Sequence, residues 1–159
     1  MEFKDVIKNR HSVRAFADKP VERDVIDTII DIALTAPSSR NCKSSAFLVI
    51  EDKDMIAALS EMRETGSAFM SGAAAAIVVA GDSAKTDLWS ENCSISATFI
   101  QLAATDLGLG SCWVHVAGRP RSKTDASKGD AESYVRQLLG IRDEMRVLCV
   151  MALGYPAED

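Results

Sequence analysis

Arg10, His11, Ser12 and Arg14 stand together in the stretch RHSVRAF, residues 10–16. Guanidiniums fork onto phosphate oxygens, and a hydroxyl or imidazole beside them adds a further hydrogen bond, so these residue types together could hold an anion. If the run is extended, its side chains alternate and Arg10, Ser12, Arg14 and Phe16 share one face. The arginines then stand roughly 13 Å apart at ~3.3 Å per residue. That separation is too great for one phosphate and suits a long ligand, anionic at one end and polar at the other. The competing reading is a solvated connector whose arginines pair with nearby acids.

Two further stretches offer polar groups at turns. APSSRNCKS, residues 36–44, presents Ser38, Ser39 and Asn41 after a helix-ending proline. Such residues commonly cap or turn the chain, and they also let backbone come close to a planar heterocycle. GLGSCWVHV, residues 108–116, holds a lone G-x-G that follows a helix and lacks a third glycine, so it is no dinucleotide fingerprint. Gly110 instead predicts a tight helix-to-strand turn that sets Trp113, Val114 and His115 beside a cleft. Other chemistries find no footing. The two histidines, His11 and His115, have no i, i+4 partner and there is no C-x-x-C pair, so no metal site is expected. A G-x-S-x-G elbow is also missing from the sequence.

These groups must be positioned by a chain of 159 residues, which suits one domain over 1–159. With 47% hydrophobic and 26% charged residues the composition is globular. A net charge of −5 argues against nonspecific nucleic-acid or anionic-membrane binding. Any bound anion must therefore be held by a local basic cluster. The N-terminus lacks a signal-peptide apolar core, and the longest apolar run, in SGAAAAIVVAG, is too short to span a bilayer. Cys42, Cys93, Cys112 and Cys149 lie far apart and read as reduced thiols, which points to the cytoplasm.

Periodicity predicts a short helix to about Asn9, then one carrying Val25, Ile26, Ile29, Ile30 and Ala33, and another carrying Met55, Ile56, Leu59 and Met62. A last short helix carries Val135, Leu138 and Leu139 and stops at Gly140. Strands are expected at 46–51, 75–81, 111–114 and 146–154, and a polar loop at 118–130. The segment from Trp89 to Leu107 has apolar residues on nearly every side, which predicts a largely buried helix partly covered by a partner subunit. The result is an α/β or α+β arrangement of helices around one sheet of roughly four strands.

The four segments R-H-S-V-R-A-F, A-P-S-S-R-N, G-L-G-S-C-W and A-L-G-Y-P, in that order, resemble the nitroreductase family of FMN-dependent oxidoreductases over nearly the whole chain. The resemblance implies an α+β, three-layer α/β/α fold. Its mixed, mainly antiparallel sheet is flanked by helices, with the long buried helix at a homodimer interface. It implies that Arg10, Ser12 and His11 hold the FMN phosphate and that Arg14 approaches the pyrimidine edge. Ser38, Ser39 and Asn41 would come from the other subunit, and the backbone around Trp113, Val114 and His115 would offer an N–H to flavin N5. The implied reaction is ping-pong hydride transfer from NAD(P)H through the flavin to a nitroaromatic, a quinone or a similar small molecule. Alternatives are dehalogenation or ene reduction on the same fold, or a non-catalytic dimeric flavin-binding sensor or storage module. The chain departs from the family pattern in three places. Lys43-Ser44-Ser45 stands where a Gln-Pro-Trp-like run is usual, and a C-terminal tail beyond GYPAED is missing. No insertion roofs the active site between the second strand and the long helix.

Overall fold

The two apolar runs without polar alternation lie side by side at the centre of the sheet. In the computed structural model, which describes residues 1–158, the order is α1 (Phe3–Asn9), α2 (Arg23–Leu34), β1 (Ser45–Ile50), α3 (Lys53–Ser60), β2 (Ala75–Asp82), α4 (Trp89–Asp106), β3 (Gly110–His115), α5 (Ala131–Leu139) and β4 (Met145–Gly154). The strands are arranged β1-β2-β4-β3 with antiparallel ladders throughout, and a parallel contact is made by an isolated bridge between Ser12 and Ser111. β2 and β4 are covered on both faces, which is why they read as continuous apolar runs.

Alternation along β2 sorts the core into two layers. Ala75, Ile77 and Val79 pack with Ile26, Ile29 and Ala33 of α2 and Cys93, Ala97, Ile100 and Ala104 of α4. Ala76, Val78 and Ala80 pack with Ile56 and Leu59 of α3 and Ala131 and Val135 of α5. The fold is therefore α+β in three layers. Met62 lies beyond the end of α3 yet is fully buried, because the chain there still lies over the second core layer. A bulge interrupts β4: Val79 pairs with Cys149 and Ala80 with Val147, so Leu148 is the extra residue. Its carbonyl accepts the N–H groups of both Val116 and Ala117, at 3.0 and 3.1 Å, and thereby ends β3.

α4 is only partly buried within one chain. Asn92, Cys93, Ser96, Ala97, Ile100, Ala103 and Ala104 face inward, whereas Ile95 is 37% exposed and Phe99 and Leu102 are half covered. The uncovered positions 95, 99 and 102 fall at i, i+4, i+7 and form one outward stripe. α1 and α2 pack on this helix and also leave apolar side chains open, with Phe3 70% and Leu34 53% exposed. No described helix is long and apolar enough to cross a membrane.

Candidate functional site

Residues 10–17 form a strap across the end of the sheet where β3 begins and β4 ends. Gly110 and Gly154 are paired at that end. A Cβ on Gly110 would stand 2.7 Å from Val13 Cβ, and one on Gly154 would stand 2.9 Å from Phe16 Cδ1. The strap can lie this close only over bare backbone. Val13 N–H donates to Ser111 O at 2.9 Å, Ala17 N–H to Tyr155 O at 2.8 Å, and Ala157 N–H to Ala15 O at 3.0 Å.

The strap is not a regular strand. Val13 is buried and Phe16 also packs inward, three positions on, so Phe16 does not share the face expected for it with Arg14. The socket over Gly154 is what turns Phe16 in. Arg10 is left half covered, and His11, Ser12 and Arg14 are exposed. His11 Nδ1 donates to Asn9 O at 2.8 Å. The Arg14 guanidinium lies 5.9 Å from the Phe69 ring centroid, Phe69 standing in the 3-10 turn Ala68–Gly72. Among the described residues neither Arg10 nor Arg14 makes an ion pair. Within this chain, then, the two guanidiniums are not neutralised by described neighbouring acids.

β3 is the edge strand beside the strap. Because Ser111 O turns out to Val13, the alternation of the antiparallel ladder turns the backbone groups of Trp113 and His115 to the same open edge. Those of Cys112 and Val114 serve β4, so the N–H groups offered at this edge belong to Trp113 and His115, with buried Val114 packing beneath. Trp113 Nε1–H donates to His115 Nδ1 at 3.1 Å, and the two rings stack at 6.2 Å with 17° between their planes. The proton of neutral His115 therefore sits on Nε2. Burial, then the charge of Arg119 and to a smaller extent that of Arg63, hold this imidazole below its ordinary value of 6.5, against a partial offset from the Ala117 backbone.

Ser38, Ser39 and Asn41 occupy a strained loop. Arg40, Asn41 and Lys43 have φ of 50, 52 and 51°, a left-handed conformation that non-glycine residues hold only when their surroundings enforce it. The enforcing residue is Asn92 of α4, a group that periodicity alone does not reveal. It is 3% exposed. Its Oδ1 accepts the Ser39 N–H at 2.9 Å, and its Nδ2 donates to Ser39 Oγ and Ser44 Oγ, both at 3.0 Å. Ser38 Oγ accepts the Lys43 N–H at 3.0 Å. The Lys43-Ser44-Ser45 departure is thus the point where the loop is tied to the long helix. Asn92 is one of several polar residues in the first turns of α4, so nothing in the helix sequence singled it out.

The strap and this loop lie at opposite corners of the sheet. β1 and β3 are the two edges, three strand spacings or about 14 Å apart. Ser45 pairs with Gly81 and Gly81 with Arg146, whereas Gly110 pairs with Gly154. The distance along β4 between those levels is roughly 27 Å at ~3.4 Å per residue. No ligand the size of FMN touches both corners of one chain. Among the described residues no group of three His, Cys, Asp or Glu side chains could hold a metal ion.

A family model described as "Putative TM nitroreductase" matches residues 2–159. A protein of Archaeoglobus fulgidus is 33% identical over 97% of this chain and 85% of its own length. One of Methanothermobacter thermautotrophicus is 33% identical over 100% of this chain and 80% of its own. Both carry the description "Putative NADH dehydrogenase/NAD(P)H nitroreductase". Among solved structures, an FMN-dependent nitroreductase from Clostridium difficile R20291 superposes with a TM-score of 0.90 at 37% identity, covering 97% of this chain and 87% of that one.

Proposed function

This chain belongs to the nitroreductase family, and from that membership we propose that it binds FMN, accepts electrons from NAD(P)H and reduces an electrophilic small molecule such as a nitroaromatic or a quinone. The observation that carries the reading is the strap: two arginines without acidic partners, pinned over a glycine pair beside the open backbone edge of Trp113 and His115. The residues present fit the cofactor. Arg10, Ser12 and His11 supply donors for a phosphate at one end, and Arg14 supplies a fixed positive charge for the pyrimidine edge. The Trp113 and His115 N–H groups are donors for the ring system, above the Val114 side of the strand. Bound FMN supplies the two-electron hydride relay between donor and acceptor.

The chain's own work is binding, orientation and electrostatics. Arg14 favours added negative charge on a ligand held against it without reorganising as that charge arrives. His115 is not available as a base through Nδ1, whose lone pair is occupied by Trp113 Nε1–H. Ser38, Ser39 and Asn41 complete the pocket from a second copy, because their corner lies too far from the strap of their own chain. The outward stripe of Ile95, Phe99 and Leu102 on α4 supports a homodimer joined through that helix. Four unpaired cysteines suit the reducing cytoplasm.

The test is a visible spectrum of the purified protein, supplied with FMN, before and after anaerobic NAD(P)H. Flavin bands that accompany the protein and bleach on addition support the enzyme. A bound flavin that NAD(P)H leaves yellow indicates a sensor or store, and a colourless protein that ignores FMN overturns the reading.

A further inference from the structure

Beyond the strap, a second basic site lies where β3 runs out. Arg63, Arg119 and Lys123, with Glu64, Thr65, Pro120, Arg121 and Thr124, line a cavity of about 400 Å³. In a chain of net charge −5 this is a local reversal of sign. Among the described residues Arg63, Arg119 and Lys123 make no ion pair. The one carboxylate at the rim, Glu64, is taken up by Lys128 at 3.0 Å. Arg121 is committed to the wall: its Nη2 donates to Glu61 O at 3.0 Å and its guanidinium carbon lies 3.9 Å from the Tyr134 ring centroid.

The scaffold is built before any ligand arrives. Arg119 N–H donates to Val116 O at 3.2 Å, Ala131 N–H to Arg119 O at 2.9 Å, Arg121 N–H to Gly129 O at 3.0 Å and Glu64 N–H to Arg121 O at 2.8 Å. Ser67, fully buried, accepts the Arg63 N–H at 3.3 Å and donates to Ser60 O at 2.6 Å. The segment so fixed carries Arg63 toward the cavity and, six residues on, Phe69 against Arg14. It therefore joins the flavin strap to the basic cavity. β3 ends at His115, and Arg119, held to Val116 O, follows four residues later, so the cavity lies next to the same edge.

We propose that this cavity receives a phosphate group of the nicotinamide nucleotide that reduces the flavin, with Arg63, Arg119 and Lys123 as its anchors. The inference rests on the FMN reading above. Two phosphates of such a donor have the same chemistry: the pyrophosphate, common to NADH and NADPH, and the 2′-phosphate, present in NADPH alone. Cationic side chains on a fixed scaffold around a hollow of this size suit either.

Calorimetric titration with adenosine 2′,5′-bisphosphate and with ADP, neither of which can donate hydride, tests the cavity apart from turnover. At least one of the two is expected to bind, and Arg119→Ala and Arg63→Ala each to weaken it roughly ten- to a hundredfold. Loss confined to the bisphosphate, with slower flavin bleaching by NADPH alone, assigns the 2′-phosphate. Loss with ADP, and slower bleaching by both nucleotides, assigns the pyrophosphate. Binding of both probes unchanged in Arg63→Ala, Arg119→Ala and Lys123→Ala overturns the proposal, as does failure of both to bind wild-type protein whose flavin NAD(P)H still bleaches. If the protein takes up no FMN, the parent reading fails, and the same titrations on flavin-free protein still decide whether the cavity binds phosphate.

Discussion

Arg10 and Arg14 sit on one strap but meet different surroundings, and their removal should read out differently. On the proposed reading Arg10→Ala would remove charged contacts to a phosphate, and it is expected to weaken FMN binding by about 1.5–3 kcal/mol. Arg14→Ala is expected to lower the reduction potential of bound flavin more than it loosens the phosphate end. Fluorescence titration and potentiometry on both variants check this, and equal effects of the two changes on both quantities would refute the division. His115 makes a separate prediction. Its folded pKa lies below 6.5, so the unfolded chain binds the proton more readily in the window just beneath that value. Stability is then flat above 6.5, falls as pH drops from 6.5 to the folded pKa, and is flat again below. Urea unfolding across pH 7.5 to 5 should show a smaller decline in His115→Gln, whose amide oxygen can still accept the Trp113 Nε1–H.

At the scale of elements, two pairs of facing residues hold the site in place. Gly110 under Val13 and Gly154 under Phe16 set the height of the strap above the sheet. Gly110→Ala adds a methyl group at 2.7 Å from Val13 Cβ and is expected to destabilise the fold by about 1–3 kcal/mol and to weaken FMN binding together with it. Gly72→Ala meets nothing within 4 Å and should leave both unchanged. Thermal melts with and without FMN distinguish the two. On the far layer, Glu132 of α5 is 6% exposed and accepts from Arg146 Nε at 2.6 Å and from its Nη2 at 3.1 Å. This fork ties α5 to the start of β4, and so fixes the outer end of the loop that bears Arg119 and Lys123.

For the molecule as a whole, the decisive geometry is the diagonal between strap and loop. A flavin pocket that uses both requires two chains, so dimerisation and cofactor binding should fail together. Ile95→Glu places a charge on the outward stripe of α4 without touching either corner. It is expected to convert the protein to a monomer and to lower FMN affinity at least tenfold, as checked by sedimentation velocity on flavin-loaded protein. A monomeric variant that keeps its flavin would refute the shared pocket.

The apolar patterns alone determined the element order, because burial on one or both faces leaves a period that survives in the residues themselves. They located α1 to α5 and the four strands, α3 through Met55, Ile56 and Leu59. The ordered motifs likewise pointed to the family and to the strap arginines. Tertiary structure decided what depends on residues distant in the chain. Phe16 turned inward because Gly154, far along the sequence, offers a socket, and α4 kept an open stripe because only one of its faces meets the sheet. Asn92 gained its role by meeting a loop some fifty residues earlier. The basic cavity formed because the segment after α3 was brought against the loop after β3. Local periodicity records which side of an element is buried, whereas it carries no record of what buries it.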